Sequence, residues 1–431
     1  MILIRLAAFV SLQPWNPDVE SSAILISDQK SYHDLAVSIL ENGYGQQAYW
    51  MPGWPAYIAV IYSLFGIKPW LVILFNTFPG VITIVAFYHA VKRLFGDKIA
   101  LVASVLLAFD PHQIIYGQFL YSENLFLPVM MLFLYFFIRF IDGKKLQDLI
   151  ISGLFAGSLV YIRSAALYLP LMPLVILPFV INGSAFDRFK KLFIFSLVVF
   201  LVQTPLSLKN YIEQGRWKPT ANGGYNLLFI YAGSVYMNQL GYSQPEANKL
   251  LVEKVNAITG GKQLNQFEFE EVANDVAIDI IKQYPLEYLQ NHFSGCVNIY
   301  TSLSTYNLAT ILGAEKNTVL NPEKYGNSHI GMASDFVQNK PPVILMLGVI
   351  LGFLLLLQYS LGITGIYVLL KGRNWPGLIM PLSFIIYFTL VTGVLGSSAR
   401  FKLPITPYYL IFSAIGYNYI KNYFSHKKQT G

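Results

Sequence analysis

Long apolar stretches, separated by short polar loops, dominate the chain. The clearest lie at residues 70–91, 120–140, 193–208, 342–370 and 378–394. Their lengths approach or exceed the roughly 20 residues that an α-helix needs to cross about 30 Å of hydrocarbon. Shorter runs need their flanking residues to complete a span. The pattern predicts an all-α polytopic membrane protein with about 10 transmembrane helices.

Composition supports this class. Hydrophobic residues make up 55% of the chain and charged residues 12%, with a mean hydropathy of +0.49, whereas about a quarter of the residues of a soluble domain are charged. The net charge of +7 does not indicate a nucleic-acid partner, because the basic residues cluster in short loops between apolar runs. The lipid bilayer is the expected partner. The single cysteine, Cys296, excludes an internal disulfide.

The basic loops predict which side of the membrane each segment faces. Loops rich in Lys and Arg face the cytoplasm, and here they lie near residues 92–98, 139–145, 188–191, 371–373 and 421–428. Both termini are then cytoplasmic. The apolar run at residues 55–65 is too short to span, so we place residues 14–69 outside as juxtamembrane helices. Residues 1–12 are also too short to span alone, and we expect them to belong to a longer natural helix.

Three parts follow from this topology. An N-terminal membrane module covers residues 1–208 and includes the first outer loop at 14–69, which holds the candidate catalytic acids discussed below, with one of its later spans predicted at residues 165–182. A long outer segment covers residues 209–340, in which residues 244–258 and 267–283 have helical periodicity with polar starts. C-terminal membrane helices cover residues 341–431.

Unusual polar residues collect at the predicted outer ends of the helices. A carboxylate kept beside a membrane is a functional candidate by default, and Asp28 lies in an acidic loop of a chain that has only 23 acidic residues. Carboxylates paired with arginines suit a reaction of an anionic lipid-linked substrate with a hydroxyl or amine. The carboxylate serves as general base and the guanidinium holds phosphate. The converging segments contain Asp28 and Asp34, Asp110 and His112, Glu123, Arg163, and Arg400 with Lys402.

A set of short motifs resembles one family over nearly the whole chain. The first outer loop resembles that of C-type integral-membrane glycosyltransferases, which include dolichyl-phosphate-mannose protein mannosyltransferases and the bacterial lipid A aminoarabinose transferase. The motifs are Asp28-x-x-x-Tyr32-x-x-Leu35-Ala36, Gly43-Tyr44, Met51-Pro52-Gly53-Trp54-Pro55-x-Tyr57, Arg93-Leu94-Phe95-Gly96, Ser122-Glu123-Asn124-Leu125-Phe126, Arg163, Asn222-Gly223-Gly224-Tyr225-Asn226-Leu227 and Arg400-Phe401-Lys402-Leu403-Pro404.

The resemblance implies a function and a location. A hexosyl or pentosyl group would pass, with inversion, from a polyprenyl-phosphate donor to a glycan, lipid or protein acceptor on the periplasmic side of a bacterial inner membrane. Asp28 would deprotonate the acceptor and Arg400 would hold the carrier phosphate, together with Lys402. The implied substrate-binding residues are Glu123, Arg163, Arg400, Lys402, Tyr32 and Trp54.

Three points stay open at this stage. Many relatives have two adjacent acids at the catalytic position, but Gln29 follows Asp28 here, so Asp34 is an alternative base. Asp28 also suits a helix N-cap. No motif demands a cofactor, although a divalent metal held by Asp110, His112 or Glu123 is an alternative to a metal-free site.

Two other functions compete with the transferase. A polysaccharide polymerase or ligase that uses a pyrophosphate-linked donor would share the outer site and its arginines. A transporter or flippase of lipid-linked saccharides is disfavoured, because we find no internal repeat of the kind that secondary transporters show.

Overall fold

Helices form most of the described chain in the computed structural model, which describes residues 1–45, 47–173, 184–314, 334, 338, 340–394 and 397–430. Those residues contain no β-strand, so the all-α class is confirmed. The helices of the N-terminal part are α1 (Ile2–Leu12), α2 (Ser27–Asn42), α3 (Gly53–Phe65), α4 (Pro69–Phe75), α5 (Thr77–Phe95), α6 (Asp97–Ala108), α7 (Pro111–Tyr116), α8 (Glu123–Gly143), α9 (Leu146–Ile162) and α10 (Ala185–Gln214).

The rest of the described chain is also helical. The segment after α10 contains α11 (Asn222–Tyr225), α12 (Gly233–Leu240), α13 (Gln244–Thr259), α14 (Gln266–Gln283), α15 (Pro285–Thr301) and α16 (Thr305–Ile311). The C-terminal part contains α17 (Pro342–Lys371), α18 (Trp375–Thr392), α19 (Ala399–Lys402) and α20 (Thr406–Thr430). Helix α10 continues past the boundary that the sequence predicted at residue 208.

Five helical stretches in the described part of the chain are long and apolar enough to cross a membrane. They are Pro69–Phe95, which joins α4 and α5, together with α8, α10, α17 and α18. Helices α1, α3 and α9 are apolar but shorter. The polytopic class is therefore confirmed, while the number of ten spans stays a prediction.

One predicted span differs in its first part. Instead of a regular helix from residue 165, the chain forms two short 3₁₀ turns at Ser164–Ala166 and Leu169–Leu171. Pro170 has no backbone N–H to donate, which suits a broken start. Residues 174–183, where the remainder of that predicted span falls, lie outside the described residues.

Helix packing follows a continuous order. Helix α10 packs on α9, α9 on α8, α8 on α5, α5 on α6, α6 on α20 and α20 on α17. Helices α17 and α20 approach most closely at Gly365 and Gly416, where an added Cβ would collide with the backbone carbonyls of Phe412 and Leu361. Small residues at such crossings let helix backbones meet, as in other membrane helix pairs.

The two ends of this bundle differ in charge. At one end Arg93 pairs with Asp142 at 2.6 Å, and the Phe95 ring lies beside Gly377, near the start of α18, which follows α17. The basic ends of α5, α8 and α17 therefore lie together. The other ends of α8 and α9 carry Glu123 and Arg163. The residues that the sequence singled out therefore lie at the end of the bundle opposite the basic one.

Candidate active site

Asp28 lies in the first turn of α2 and faces a charged partner. Ser27 before it has a φ of 50°, in the left-handed region that a non-glycine residue seldom occupies. The N-cap position belongs to Ile26, and no side chain caps this helix, so the interpretation of Asp28 as an N-cap is wrong. Its Oδ2 instead accepts a hydrogen bond from Arg400 Nη1 at 2.7 Å.

Glu123 begins α8 and joins two arginines from distant parts of the chain. Its Oε1 accepts from Arg400 Nε at 2.7 Å and from Arg163 Nη1. The side chain is 1% exposed, and Oε2 has no hydrogen-bond partner. Two carboxylates and two guanidinium groups thus form a compact cluster without net charge. Such pairing offsets the large desolvation penalty of each ion.

Residues next to Glu123 complete this cluster. Arg163 Nη1 donates to Ser122 Oγ at 3.0 Å, and the Tyr32 hydroxyl lies 3.5 Å from the same oxygen. The guanidinium of Arg400 lies 4.0 Å from the centre of the Tyr121 ring, a distance that suits a cation–π contact. The segment 121–123 therefore orients both arginines.

Gln29 fixes the position of α2 relative to that segment. It is 1% exposed. Its Oε1 accepts from the backbone N–H of Leu120 at 2.9 Å, and its Nε2 donates to the carbonyl of Ala23 at 3.3 Å. The residue that stands where many relatives have a second acid thus attaches α2 to the chain just before Tyr121.

Exposure distinguishes the two carboxylates of the cluster. The Asp28 side chain is 39% exposed, against 1% for Glu123. Asp28 and Ser27 line a cavity of about 810 Å³ whose far wall comes from α13 and α14. Only Asp28 of this pair can reach a molecule in that cavity, and Glu123 serves as the buried counter-ion of the arginines.

Other residues predicted for the site lie elsewhere. Asp34 forms an exposed i,i+4 pair with Lys30 at 2.6 Å, away from the arginines. Trp54 is fully buried, donates its indole N–H to the Leu120 carbonyl at 3.0 Å and does not line the cavity. Its neighbour Trp50 lines the cavity instead. Nothing in the sequence favours Trp50 over Trp54, because only their packing in the folded chain distinguishes two nearby tryptophans.

Lys402 belongs to a separate buried group. Its Nζ lies 3.3 Å from His112 Nε2 and 3.4 Å from the carbonyl of Ser302. Burial lowers the pKa of His112 to about 3 and that of Lys402 to about 8. His112 is therefore neutral at pH 7 and can accept a hydrogen bond from the lysine. The structure does not bring Lys402 into the cluster around Arg400.

The proposed metal ligands do not converge. Within the described residues, no group of three or more His, Cys, Asp or Glu side chains could hold a metal ion. Asp110 Oδ1 caps α7 through the Gln113 N–H at 3.0 Å, and it lies 3.9 Å from His112 Nδ1. Glu123 is engaged with the two arginines. A divalent metal stays an expectation from the sequence alone.

Comparison with known proteins gives one family match. Residues 51–208 match the family model described as dolichyl-phosphate-mannose-protein mannosyltransferase. The search of curated proteins finds no match. The matched stretch contains Glu123 and Arg163, while Asp28 and Arg400 lie on either side of it.

Several solved structures are similar at low identity. ArnT from Cupriavidus metallidurans bound to undecaprenyl phosphate is 14% identical with a TM-score of 0.43, over 96% of this chain and 77% of that chain. The archaeal oligosaccharyltransferase AglB from Archaeoglobus fulgidus, in complex with an inhibitory peptide and a dolichol-phosphate, is 14% identical with a TM-score of 0.48. That match covers 99% of this chain and 51% of AglB, so the chain spans about half its length.

Proposed function

We propose that this chain, whose residues 51–208 match the mannosyltransferase family model, is a C-type integral-membrane glycosyltransferase that transfers a hexose or pentose from a polyprenyl-phosphate donor to an acceptor. The name of the matched family describes transfer of mannose from dolichyl phosphate to protein, and this supports a lipid-phosphate donor here.

The contact of Arg400 with both Asp28 and Glu123 carries this proposal. One guanidinium lies between a partly exposed carboxylate and a fully buried one, at 2.7 Å from each. Glu123 keeps Arg400 in place through Nε. The Nη atoms can then exchange Asp28 for the oxygens of a phosphate, because a guanidinium binds phosphate with two parallel N–H donors.

The proposed reaction is one displacement with inversion at the anomeric carbon. The acceptor oxygen or nitrogen forms a bond to that carbon while the bond from the carbon to the phosphate oxygen breaks. Asp28 takes the acceptor proton as general base. The leaving polyprenyl phosphate keeps the bonding electron pair, and Arg400 stabilises its charge. Phosphate binding to Arg400 also releases the Asp28 carboxylate for the proton.

The direction of the helices supports a site on the non-cytoplasmic face. The basic ends of α5, α8 and α17 lie opposite the cluster of Asp28, Glu123, Arg163 and Arg400, and Lys- and Arg-rich loops face the cytoplasm. We therefore propose a bacterial inner membrane protein with its reaction on the periplasmic side.

The test uses purified protein in lipid nanodiscs with a panel of undecaprenyl-phosphate hexoses and pentoses. We expect release of undecaprenyl phosphate from at least one donor when a mixed glycan, lipid and peptide acceptor extract is added. Arg400→Ala should abolish this release. No release from any donor would refute the proposal.

Two controls separate the competing functions. Release of undecaprenyl pyrophosphate from a pyrophosphate-linked donor would indicate a polymerase or ligase. Movement of the donor across liposomes in the absence of acceptor would indicate a flippase. Either result without sugar transfer from the monophosphate donors would replace the proposed reaction.

A further inference from the structure

The cavity beside Asp28 has walls of unusual chemistry for a membrane protein. Its volume is about 810 Å³, within the range of pockets that enclose small ligands. Its lining includes a row of aromatic rings and several side-chain amides. Charged side chains are nearly lacking: among the described residues that line it, only Asp28 and Lys262 are charged.

The aromatic row runs from the cluster around Asp28 to α14. Trp50 contacts Tyr49 with ring centres 5.0 Å apart, and Tyr49 contacts Tyr225 at 4.9 Å. The row continues through Phe229, 4.7 Å from Tyr225, to Phe269 at 6.3 Å from Phe229. The C–H faces of sugar rings pack on aromatic rings, and these rings, the first of which meet edge to face, offer aromatic contacts at several points along the cavity.

Helix α13 supplies hydrogen-bonding groups to the lining. Gln244, Asn248 and Asn256 project from α13, and no hydrogen bond of their side chains to another described residue is found. A side-chain amide both donates and accepts hydrogen bonds. Such groups match the hydroxyls of a saccharide, each of which does the same.

The charges of the cavity do not suit an anion. The Nζ of Lys262 lies 4.0 Å from a carboxylate oxygen of Glu268, and its side chain is 70% exposed at the rim. The remaining charge is the Asp28 carboxylate, which repels phosphate or uronate groups. Arg400 contacts Asp28 but is not part of the lining. Asp28 therefore lies between the mainly uncharged lining of the cavity and the guanidinium group of Arg400.

These observations assign the cavity to the acceptor, and we propose that it binds a neutral, hydroxyl-rich glycan whose attacking hydroxyl meets Asp28. This inference rests on the proposed transferase function and deepens it. A peptide fits less well, because the walls are helical and the described residues offer no strand edge to pair with an extended backbone.

The test measures binding without the donor, so that its result does not depend on turnover. Saturation-transfer NMR on the full chain in nanodiscs would compare neutral hexasaccharides, namely mannan, dextran and chitin fragments, with hexagalacturonate and with a Ser/Thr-rich peptide. We expect at least one neutral hexasaccharide to bind at least tenfold more tightly than the anionic one and the peptide.

Matched variants locate the binding. Tyr225→Ala should weaken binding of that hexasaccharide roughly tenfold, the upper range of a single aromatic contact. Tyr242→Ala is the control, because Tyr242 is as exposed as Tyr225 (38% against 39%) but does not line the cavity. Asn256→Ala is a second variant that should still fold, because alanine favours a helix more than asparagine does. Its control is Gln263→Ala, just outside the cavity.

The outcomes distinguish the inferred glycan site from the proposed transferase function. Loss of binding in Tyr225→Ala and Asn256→Ala, with both controls unchanged, supports a glycan acceptor even if the donor is still unidentified. Tighter binding of hexagalacturonate or the peptide, no binding of any neutral hexasaccharide, or equal effects in variants and controls would overturn it. Failure to release undecaprenyl phosphate would refute the transferase, and with it the acceptor role, but not the binding of the glycan in the cavity.

Discussion

Replacement of Asp28 by asparagine tests the assignment of the general base most directly. The change keeps the size of the side chain and a hydrogen bond acceptor for Arg400 Nη1, but it removes the capacity to take a proton. Asp34→Asn is the matched control, because both residues lie on α2. The sequence left these two acids as alternatives, and only Asp28 touches the cluster.

The expected loss of rate follows from the role of a general base. Positioned bases contribute about 10²- to 10⁴-fold, which corresponds to about 3–5 kcal/mol at 1.36 kcal/mol per factor of ten. The effect on stability should be much smaller. The Asp28 side chain is 39% exposed, and ion pairs open to solvent contribute about 0–1 kcal/mol. For the more exposed pair of Asp34 with Lys30 we expect about 0.3–0.5 kcal/mol.

The assay is a single-turnover measurement of undecaprenyl phosphate release with saturating donor. Donor affinity is determined separately, so that a displaced Arg400 is not mistaken for a missing base. Thermal unfolding in the same detergent shows whether the variants are folded. We expect Asp28→Asn to lose at least 100-fold in rate and Asp34→Asn to stay within twofold of the parent chain.

Two results would refute the assignment. One is an Asp28→Asn rate within about threefold of the parent rate, since no general base could then reside at this position. The other is an equal loss in Asp34→Asn, which would move the base six residues along α2.

Three further predictions concern the charges and the helix crossing. Glu123→Gln should lower the free energy of unfolding by about 3 kcal/mol, because it leaves two guanidinium groups at a buried site without their shared carboxylate. A free energy of unfolding, measured with denaturant, that stays within about 1 kcal/mol of the parent value would contradict this. Arg400→Lys should raise the KM for the donor roughly tenfold, since an ammonium lacks the planar pair of donors, and an unchanged KM would place the phosphate elsewhere. Gly365→Ala should destabilise the chain by about 2 kcal/mol through overlap with the Phe412 carbonyl, whereas Gly143→Ala, with open space around it, should leave the thermal midpoint unchanged.

The sequence was sufficient to predict most helices, because long apolar runs have few alternatives in a bilayer. The run predicted at residues 70–91 lies within the helical stretch Pro69–Phe95, and that at 342–370 appears as Pro342–Lys371. The two periodic segments after α10 are likewise observed, as Gln244–Thr259 and Gln266–Gln283. Helical periodicity is a local property, so local sequence reveals it.

The contacts between side chains in the candidate site were harder to predict from the sequence. Scarcity of charge at helix ends identified Asp28, Glu123, Arg163 and Arg400, but not which atoms meet, since Arg400 contacts a residue 372 positions away. Ser122, Tyr121 and Gln29 were not selected, because uncharged residues of these types are common and only contact gives them a role. The amides of α13 carried no signal for the same reason.

Asp28 and Gln29 show how one helical turn meets two different requirements. Their side chains point in different directions, one toward Arg400 and the cavity, the other toward the Leu120 N–H and the Ala23 carbonyl. A carboxylate at position 29 would still accept from the N–H but would face the carbonyl at about 3.3 Å with no proton to donate. The amide fits both partners. A second acid is therefore unnecessary at this position, because the neighbour of Asp28 serves to hold α2 against the segment that carries Glu123.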